Sequence, residues 1–464
     1  MSDNETICAI ATALNDSGIS IIRISGRNAL EAADRIFHKK NGIHFIKDVA
    51  ANSIVHGIIT DKNGIIIDDV MVSVMKEPKS YTREDVVEIN CHGGIQVTRE
   101  VLGLLLETGL VRLADPGEFT KRAFLNGRID LSAAESVMSL ISAKSELAAK
   151  NSIKLVEGAL YKKVKELKDM IINDNARIEA YLDDPENLDL DGFADSFNSD
   201  ISTEIREIDH LIKTFDNGRF INDGIKTVIL GKPNVGKSSI MNSLLKTERA
   251  IVTDIAGTTR DVIEDDVKLG NVFLKLVDTA GIHKTDDIIE KLGIKKAEEL
   301  ASEADLILIV LDSSKRLDRE DEEIFKIADG KLSIILMNKS DLSEAGRTDL
   351  KADIKKFSDS KIIECSALNN EGFDELENYV NKEFFNGRLK SDDELYITNL
   401  RHKECLEKAL LHLNNVCESI NNKMPEDFYT IDLCGAYNAL AELTGEACND
   451  DLINRIFEKF CLGK

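Results

Sequence analysis

The stretch that decides the fold reads Thr227-Val228-Ile229-Leu230-Gly231-Lys232-Pro233-Asn234-Val235-Gly236-Lys237-Ser238. Its first four residues form an apolar run typical of a strand, and the residues after it, Ser239–Leu245, have a helical pattern. In that setting Gly231 and Gly236 allow the backbone to wrap an anion that faces the N–H groups at the start of the helix. We therefore predict a phosphate-binding loop, in which Lys237 reaches the β and γ oxygens of a nucleotide and Ser238 binds Mg²⁺.

Further apolar runs alternate with helical segments downstream of this loop. Together with the first run, this alternation predicts a mostly parallel, doubly wound sheet. The runs are Thr227–Leu230, Val272–Val277, Leu306–Leu311, Leu332–Met337 and Lys361–Cys365.

Short polar motifs follow three of these runs. Asp278-Thr279-Ala280-Gly281 offers a carboxylate that can hold Mg²⁺ through water and a glycine amide that can sense a γ-phosphate. In Asn338-Lys339-Ser340-Asp341, the carboxylate of Asp341 can accept hydrogen bonds from N1–H and the exocyclic amine of guanine, a donor pair that adenine lacks. Ser366-Ala367-Leu368 would complete the base pocket from the backbone. The motifs stand in the order found in the Ras-like GTPase superfamily, so we predict that the chain binds GTP.

The residue after Asp278–Gly281 is Ile282, where signalling members of that superfamily place a glutamine that orients the attacking water. Isoleucine has no polar group for this task. Hydrolysis must therefore be completed by another group, in this chain or in a partner. The acidic residues within reach along the sequence are Asp286, Asp287 and Glu290, although such residues are more often solvated carboxylates of loops and helices.

Two further regions flank the nucleotide-binding region. Residues 1–120 alternate β-rich runs with helical ones such as 97–107, which predicts a compact α+β domain. Apolar residues then recur at helical spacing over 121–222, with a polar interruption at 183–200, and the helical pattern resumes after the nucleotide-binding region. We predict a multidomain chain with an α+β N-terminal domain, an α-helical central domain and an inserted α/β Ras-like G domain with a mostly parallel sheet. The predicted limits are 1–120 for the N-terminal domain, 121–222 and 383–464 for the two parts of the helical domain, and 223–382 for the G domain.

Composition sets limits on the class of protein. At 464 residues and 51.5 kDa the chain is too long for one hydrophobic core. Its net charge of −24 opposes a broad electrostatic grip on nucleic acid, so an RNA substrate would need a local basic patch or a partner protein. No leader-like N-terminus or membrane-length apolar run is evident, and we expect a cytoplasmic protein that contacts no membrane. The eight cysteines include no CxxC pair, which indicates neither a zinc site nor a disulfide framework.

Several motifs carry a resemblance to a known family. Gly257-Thr258-Thr259-Arg260-Asp261 is similar to the Era-like branch of GTPases. Gly93-Gly94, Ala123-Phe124-Leu125-Asn126 and the final Cys461-Leu462-Gly463-Lys464 narrow the resemblance to the MnmE family, also called TrmE, of tRNA modification GTPases. The resemblance covers essentially the whole chain, with one departure at 13–19, where relatives have a turn richer in proline and glycine.

The resemblance implies a homodimer held by the N-terminal domains and a heterotetramer with the flavoprotein MnmG. Such a complex modifies position 5 of the wobble uridine of tRNA with an aminomethyl or carboxymethylaminomethyl group. The one-carbon unit would come from 5-formyl- or methylene-tetrahydrofolate, FAD and NADH would act on the partner, and GTP hydrolysis would drive a conformational switch. Most of the tRNA binding would fall to the partner, which fits the acidic composition.

The same resemblance implies metal-binding and catalytic residues. Asn234 and the loop Thr253–Thr258 would coordinate K⁺, a cation that offsets charge developing on the β and γ oxygens. Thr259 would join Ser238 on Mg²⁺, and Glu290 would position the attacking water once two G domains meet. From its residue type alone, Asn234 could equally cap its own loop backbone. The implied K⁺ ligands are Asn234, Thr253, Ile255 and Thr258.

With the loop 253–259 included, the predicted nucleotide site spans all of these motifs. The predicted GTP-binding residues are Asn234, Val235, Gly236, Lys237, Ser238, Ser239, Thr253, Asp254, Ile255, Ala256, Gly257, Thr258, Thr259, Asp278, Thr279, Ala280, Gly281, Asn338, Lys339, Asp341, Ser366, Ala367 and Leu368.

A second predicted site binds folate by the same resemblance, through Arg23, Glu88, Arg128 and Lys464. A carboxylate such as Glu88 can read the amide and amine edge of a pterin, while cations suit a glutamate tail. Taken without the family, isolated charged residues are usually solvated and terminal segments usually disordered. Cys461 could contribute a thiol near the one-carbon unit or could simply pack.

The main alternative is an Era-like GTPase that acts as a ribosome-assembly factor. Such a protein should carry a basic RNA-binding appendage, for example a KH module with its GxxG loop. No basic appendage is evident, and the C-terminal region has a helical pattern. A purely structural or signalling switch would leave the matches at Arg23, Glu88 and 461–464 unexplained.

Overall fold

The computed structural model divides the chain into two compact units. The first unit comprises Met1–Ile141, Ile153–Ile208 and Glu404–Lys464, and the second comprises Ser142–Ser152 and Asp209–Lys403. Within the described part of the chain, no helix combines the length and apolar content that crossing a bilayer requires. The residues that the structure describes are 5–39, 46–183, 193–247, 265–270, 272–277, 297–342, 347–385, 394–422, 424–425, 427–448, 450–461 and 463.

A seven-stranded sheet forms the centre of the first unit. Neighbouring strands are antiparallel, except that Thr6–Ile10 pairs in parallel with Val111–Leu113. One face is apolar because side chains alternate along each strand, as where Val70, Val72 and Val74 are buried. In spatial order the strands are Phe37–His38, Ser53–Thr60, Ile66–Met75, Val86–Gly93, Ser17–Ser25, Thr6–Ile10 and Val111–Leu113.

Helices cover the apolar face of this sheet. Val101 and Leu105, one turn apart on Ile95–Glu107, lie in the same buried cluster as Val72 and Ile89 of the strands. The helix Ala29–Asp34 adds three buried alanines to this cluster. The opposite face carries Arg23 and Glu88, so the alternation of side chains brings polar groups of two strands to the same face.

Longer helices make up the rest of the first unit. Their apolar positions lie three or four residues apart, and Leu406, Ala409, Leu413 and Val416 are fully buried on one of them. The helices wholly within this part are Glu118–Leu125, Leu131–Ile141, Ala159–Asp183, Asp427–Thr444 and Asp450–Phe457, joined by most of Phe193–Lys213 and Leu400–Asn421.

A carboxyl group lies unpaired inside these helices. Glu204 of Phe193–Lys213 is fully buried, and neither of its carboxyl oxygens has a hydrogen-bond partner. Arg177 binds the nearby Asp174 at 3.1 Å and Asp200 at 2.6 Å. Burial, together with repulsion from Asp174 and Asp200, raises the pKa of Glu204 to about 8. The folded protein therefore holds Glu204 in its neutral form at neutral pH.

The second unit is built on a six-stranded sheet that is parallel except for Asp265–Leu269, which pairs antiparallel with Val272–Leu276. Its central strand, Leu306–Asp312, is buried along its whole length. Separate apolar clusters include alternate residues of this strand, Leu308 in one and Ile309 in the other, which confirms the predicted doubly wound sheet. In spatial order the strands are Lys361–Glu364, Ser333–Asn338, Leu306–Asp312, Ile225–Leu230, Val272–Leu276 and Asp265–Leu269.

Helices alternate with the parallel strands of the second unit. Arg319–Ile327 begins with a capping box, in which the Asp318 carboxylate accepts from the backbone N–H of Glu320 and Asp321. The described helices of this unit are Phe215–Asp223, Lys237–Thr247, Arg319–Ile327, Arg347–Ile354 and Phe373–Phe385, with 297–303 also helical and Glu146–Val156 mostly within it.

One helix begins earlier than the sequence predicts. Residues 183–200 are predicted as a polar interruption, but Phe193–Lys213 is helical from its first residue. Phe197 and Ile201 are both buried and lie one turn apart, so the apolar stripe extends into the stretch predicted as polar. Residues 184–192 lie outside the described residues.

Candidate nucleotide and folate sites

The phosphate-binding loop leaves the strand Ile225–Leu230 and enters the helix Lys237–Thr247. Gly236 has φ +100°, and a Cβ there would lie 2.2 Å from the side-chain nitrogen of Asn338. A Cβ on Gly231 would lie 2.6 Å from the carbonyl oxygen of Val310. Both glycines are therefore required by close approach of neighbouring groups, and Gly236 by its backbone conformation as well.

The polar side chains of the loop are arranged around the start of the helix. Lys237 Nζ donates to the carbonyl oxygens of Gly231 and Lys232, each at 2.7 Å. Ser238 and Ser239 are exposed in the first turn, where backbone N–H groups and the helix dipole favour an anion. The geometry brings an ammonium, two hydroxyl groups and a helix N-terminus together.

The amide of Asn338 joins the phosphate-binding loop to the predicted base pocket. Asn338 ends the strand Ser333–Asn338 and is buried. Its Nδ2 donates to the carbonyl oxygen of Val235 at 2.9 Å, and its Oδ1 accepts from the backbone N–H of Ala367 at 3.1 Å. One side chain therefore ties together two loops that the sequence separates by more than a hundred residues.

Asp341 and Ser366 form the described part of the predicted base pocket. The fully buried hydroxyl of Ser366 donates to Asp341 Oδ1 at 2.6 Å and accepts from the N–H of Asn369 at 3.2 Å. Asp341 is exposed, and so is Leu368. Ser366 therefore orients a carboxylate that is open to a ligand, as the guanine-reading role requires.

Asp312 is a member of this site that the motifs did not single out. It is the last residue of the buried strand Leu306–Asp312 and lies at the same edge of the sheet. Its carboxylate accepts from Lys339 Nζ at 2.7 Å, and Lys339 Nζ also donates to the carbonyl oxygen of Asn234 at 2.9 Å. Burial raises the pKa of the Asp312 carboxyl, but hydrogen bonds from Lys339 and Ser314 outweigh it and leave the pKa below its usual value. A carboxylate at the carboxyl end of the central strand was the available signal.

Other predicted residues of the nucleotide site lie outside the described residues. This holds for the Mg²⁺ and K⁺ residues of the second loop, for the motif after the strand Val272–Leu276 and for the proposed water-positioning glutamate. These residues are Thr253, Asp254, Ile255, Ala256, Gly257, Thr258, Thr259, Asp278, Thr279, Ala280, Gly281 and Glu290. Ile282, Asp286 and Asp287 also lie outside the described residues.

In the first unit, the predicted folate residues Arg23 and Glu88 meet across two antiparallel strands. They are direct register partners on Ser17–Ser25 and Val86–Gly93, and Arg23 Nε donates to Glu88 Oε1 at 2.7 Å. Both side chains are about four-fifths buried. The pair is therefore specified by strand register, although the two residues are 65 positions apart.

Tyr81 connects this pair to Arg128. The guanidinium of Arg23 lies 5.6 Å from the Tyr81 ring centre and that of Arg128 lies 4.6 Å from it. Arg128 also donates to the carbonyl oxygen of Tyr81 at 3.0 Å. The structure thus brings Arg23, Glu88 and Arg128 to one place, while Lys464 lies outside the described residues.

Gly463 reaches the same place from the far end of the sequence. Its carbonyl oxygen accepts from Arg23 at 3.3 Å. Its φ is +86°, and a Cβ would lie 2.3 Å from the carbonyl oxygen of Ile10. Upstream of it, the carbonyl oxygen of Cys461 accepts from the N–H of Gly117 at 3.3 Å, and the Cys461 side chain is exposed. The described C-terminal residues are therefore packed against the candidate folate site.

A buried ionic network supports the helix that carries Phe119, which also lies 5.6 Å from Arg23. Glu118 accepts from Arg112 at 2.7 Å and from Arg122 at 2.8 Å, and Arg122 also reaches Glu84. Although burial acts to raise its pKa, these hydrogen bonds and that from the Asp115 backbone lower the pKa of Glu118 to about 2. Every charge in this network thus has a partner.

Comparison with known proteins gives matches over nearly the whole chain. The family profile described as "GTP-binding protein TrmE N-terminus" matches residues 6–128, and the profile described as "MnmE helical domain" matches residues 131–461. A solved structure of translation elongation factor SelB from Methanococcus maripaludis with the GTP analogue GppNHp covers 35% of this chain and 34% of that chain, at 25% identity and a TM-score of 0.27.

Relatives with the printed name "tRNA modification GTPase MnmE" match end to end. The protein from Lachnoclostridium phytofermentans is 48% identical over 460 residues, and that from Thermoanaerobacter pseudethanolicus is 47% identical over 463. The protein from Bacillus mycoides is 44% identical over 466 residues. Each match covers 99% of this chain and 99% of the relative. The chain therefore belongs to the MnmE family of tRNA modification GTPases.

Proposed function

We propose that this chain is a K⁺-activated GTPase that, with the flavoprotein MnmG, modifies position 5 of the wobble uridine of tRNA with a folate-derived one-carbon unit. GTP hydrolysis to GDP and phosphate in tRNA modification is the activity of the family to which the chain belongs. The observation that carries the folate part of the proposal is the Arg23–Glu88 pair, which is 2.7 Å long and adjoins Tyr81 and Gly463.

Described groups would make several of the phosphate and base contacts in the nucleotide site. Lys237 and the first turn of its helix would hold the phosphates, and the exposed Ser238 hydroxyl would bind Mg²⁺ together with Thr259. Asp341, oriented by Ser366, would read the guanine edge. The remaining predicted GTP-binding residues belong to this site as part of the same proposal.

The K⁺ ion would lie beside the phosphates, held by Asn234 with Thr253, Ile255 and Thr258. Asn234 has φ +62° and an exposed side chain, so its amide oxygen is open to a ligand, and amide and carbonyl oxygens are suitable ligands for a hard cation. When bound, the cation offsets negative charge that develops during hydrolysis. Glu290 would position the attacking water, a task that Ile282 cannot perform.

The role of Glu290 can be tested by substitution. Glu290→Ala should abolish the K⁺-stimulated part of GTP turnover and leave nucleotide affinity nearly unchanged, because the residue acts on water and not on the bound nucleotide. Steady-state turnover in KCl and in NaCl, with nucleotide affinity measured on the same variant, separates the two properties. Unchanged K⁺-stimulated turnover would refute the assignment.

At the folate site, Glu88 would read the pterin edge with Arg23 bonded beside it, and Arg128 and Lys464 would provide positive charge for the glutamate end. Because the side chains of Arg23 and Glu88 are about four-fifths buried, they are removed from most competing water, which strengthens charge-assisted hydrogen bonds to a ligand.

Assembly and location complete the proposal. The chain would form a homodimer through its N-terminal domains, which span 1–120, and a heterotetramer with MnmG, on which FAD and NADH act. The partner would provide most of the tRNA contact, since this chain has a net charge of −24. We place the complex in the cytoplasm. Within this chain, the helical domain would span 121–222 and 383–464, and the G domain would span 223–382.

The deciding experiment is nucleoside analysis of tRNA from a strain that lacks this chain. Loss of aminomethyl and carboxymethylaminomethyl groups at the wobble uridine, with recovery on re-expression, is the expected result. Unchanged wobble-uridine modification would overturn the proposed function while leaving GTP binding intact.

A further inference from the structure

A groove of about 420 Å³ on the first unit combines positive charge with an apolar wall. We call it the cationic groove, and the side chains that define it are Lys79, Arg83, Arg128, Met75, Pro78 and Tyr81. Its volume and mixed lining fit part of a small anionic molecule, since such sites pair apolar walls with a few placed charges.

In the part of the chain that the structure describes, no carboxylate neutralises the three cations of the cationic groove. Among the described residues, none of the three forms an ion pair with a carboxylate. Arg83 donates to the carbonyl oxygen of Asn126 at 2.9 Å, and Arg128 to that of Tyr81 at 3.0 Å, so both are oriented without losing their charge. In a chain of net charge −24, uncompensated cations gathered in one groove point to an anionic ligand.

Backbone strain is also concentrated here. Arg83 has φ +60°, and Asn52, which lines the same groove, has φ +57°. Left-handed backbone is unfavourable for an arginine, and such strain is found preferentially at binding sites, where the surrounding structure maintains it. The position of the Arg83 side chain in the groove is therefore held against a local cost.

The cationic groove adjoins the proposed folate site through one ring. Tyr81 lines the groove and also contacts both Arg23 and Arg128. A molecule bound at Arg23 and Glu88 thus has a cation-lined path that leads past Tyr81 to Lys79 and Arg83.

We infer that the cationic groove binds the γ-linked glutamate tail of a folate, and that this chain favours folates with several glutamate residues over those with one. The inference rests on the proposed folate site and adds Lys79 and Arg83 to it. Each added glutamate carries one free α-carboxylate, which matches cations spaced along a groove. An RNA backbone is also anionic, but the apolar wall of Met75, Pro78 and Tyr81 suits the aromatic and methylene parts of a folate better than a chain of phosphates.

The test compares 5-formyltetrahydrofolate carrying one glutamate with the same compound carrying five, using calorimetric titration of the full-length protein. An exposed contact between a cation and a carboxylate changes affinity by roughly two- to fivefold. The compound with five glutamates should therefore bind roughly tenfold more tightly than that with one, and this ratio should fall as KCl rises, because exposed charges are screened.

Substitutions locate the effect in the groove. Lys79→Gln and Arg83→Gln should each lower the ratio roughly two- to fivefold. Arg99→Gln is the matched control, because Arg99 is an exposed arginine on the helix Ile95–Glu107 outside the groove, and it should keep the ratio of the unsubstituted protein. Far-ultraviolet circular dichroism checks that each variant is folded.

The outcomes separate this inference from the function on which it rests. Binding of the one-glutamate compound without any preference for five glutamates would overturn the inference and leave the folate site standing. Failure of both compounds to bind would overturn both. A ratio that survives in Lys79→Gln and Arg83→Gln, while tRNA retention on a filter falls, would assign the groove to RNA and overturn the inference.

Discussion

The two units hold their polar side chains in different ways. In the second unit, Ser238 and Asp341 are exposed beside the ends of parallel strands. In the first unit, Arg23 and Glu88 lie in the middle of strands and bind each other, while Glu118 and Glu204 lie in the interior. Ser238 and Asp341 are accessible to a ligand, whereas the interior groups contribute to the stability of the fold. Substitution should therefore act mainly on ligand binding in the second unit, and on both binding and stability in the first.

The largest expected effect concerns Glu204 and pH. The pKa of Glu204 rises from 4.5 to about 8 on folding, so the folded state holds this proton more tightly than the unfolded state does. The contribution of this proton to the free energy of unfolding is complete below pH 4.5 and is lost as the pH rises to about 8. Between pH 5 and pH 8.5 the free energy of unfolding should fall by an amount on the order of 4 kcal/mol. Chemical denaturation of the full chain at pH 5 and pH 8.5 measures the loss, to which Asp174, with a pKa raised to about 6 chiefly by burial, adds in the same direction.

Glu204→Gln should remove most of that pH dependence, because an amide does not titrate. Glu157→Gln is the control, since Glu157 is exposed on the same unit, and it should keep the full dependence. A Glu204→Gln protein that loses as much stability between pH 5 and pH 8.5 as the unsubstituted protein would show that this carboxyl is not the group responsible.

The next effect sharpens the comparison from the side of the second unit. Asp341→Ala should lower GTP affinity by roughly a hundredfold or more, because two charge-assisted hydrogen bonds to guanine are lost. ATP affinity should change little, so the preference for guanine should disappear. Competition binding with a fluorescent GTP analogue measures both nucleotides, and an equal loss for GTP and ATP would contradict a base-reading role.

A smaller effect is expected in the first unit. Arg23→Ala and Glu88→Ala should each weaken folate binding roughly tenfold, since each removes a charge-assisted contact and leaves the other, largely buried charge without its ion-pair partner. Calorimetric titration with 5-formyltetrahydrofolate measures folate affinity. GTP turnover equal to that of the unsubstituted protein would show that each substitution acts on the folate site alone. Folate affinity that survives both substitutions would refute this site.

The smallest effect tests orientation alone. Ser366→Ala removes the hydroxyl that donates to Asp341 but leaves the carboxylate in place, so GTP affinity should fall by about fivefold. The same competition assay measures it. Combined with Asp341→Ala, it should cause no further loss, and additive losses would show that Ser366 acts by another route.

The second unit was the more predictable from sequence. The strand Leu306–Asp312 is buried on both faces and reads as a continuous apolar run, so its prediction at 306–311 is correct to one residue. Predicted binding residues such as Lys237 and Asp341 lie in the loops and turns that follow such strands, which makes the motifs contiguous. The role of Asn338 in joining two loops was not predictable, because it depends on which strands are neighbours in the sheet.

The first unit was predictable in class but not in its contacts. Alternation predicts the strand at 86–90, and the structure has Val86–Gly93, yet nothing in the residues says that Arg23 faces Glu88. That pairing depends on antiparallel register, and the family resemblance, not the pattern, brought the two residues together. Glu204 gave no signal either, because a glutamate at a helical position reads as solvent-facing.

The amide of Asn338 has a consequence for ligands that fill only part of the nucleotide site. Because it bonds to Val235 in one loop and to Ala367 in the other, ordering either loop helps to order the second. Guanosine and pyrophosphate, added as separate fragments, should therefore each increase the affinity for the other. In the proposed nucleotide site, recognition of the base and recognition of the phosphates would then be one cooperative event, coupled through a single planar side chain.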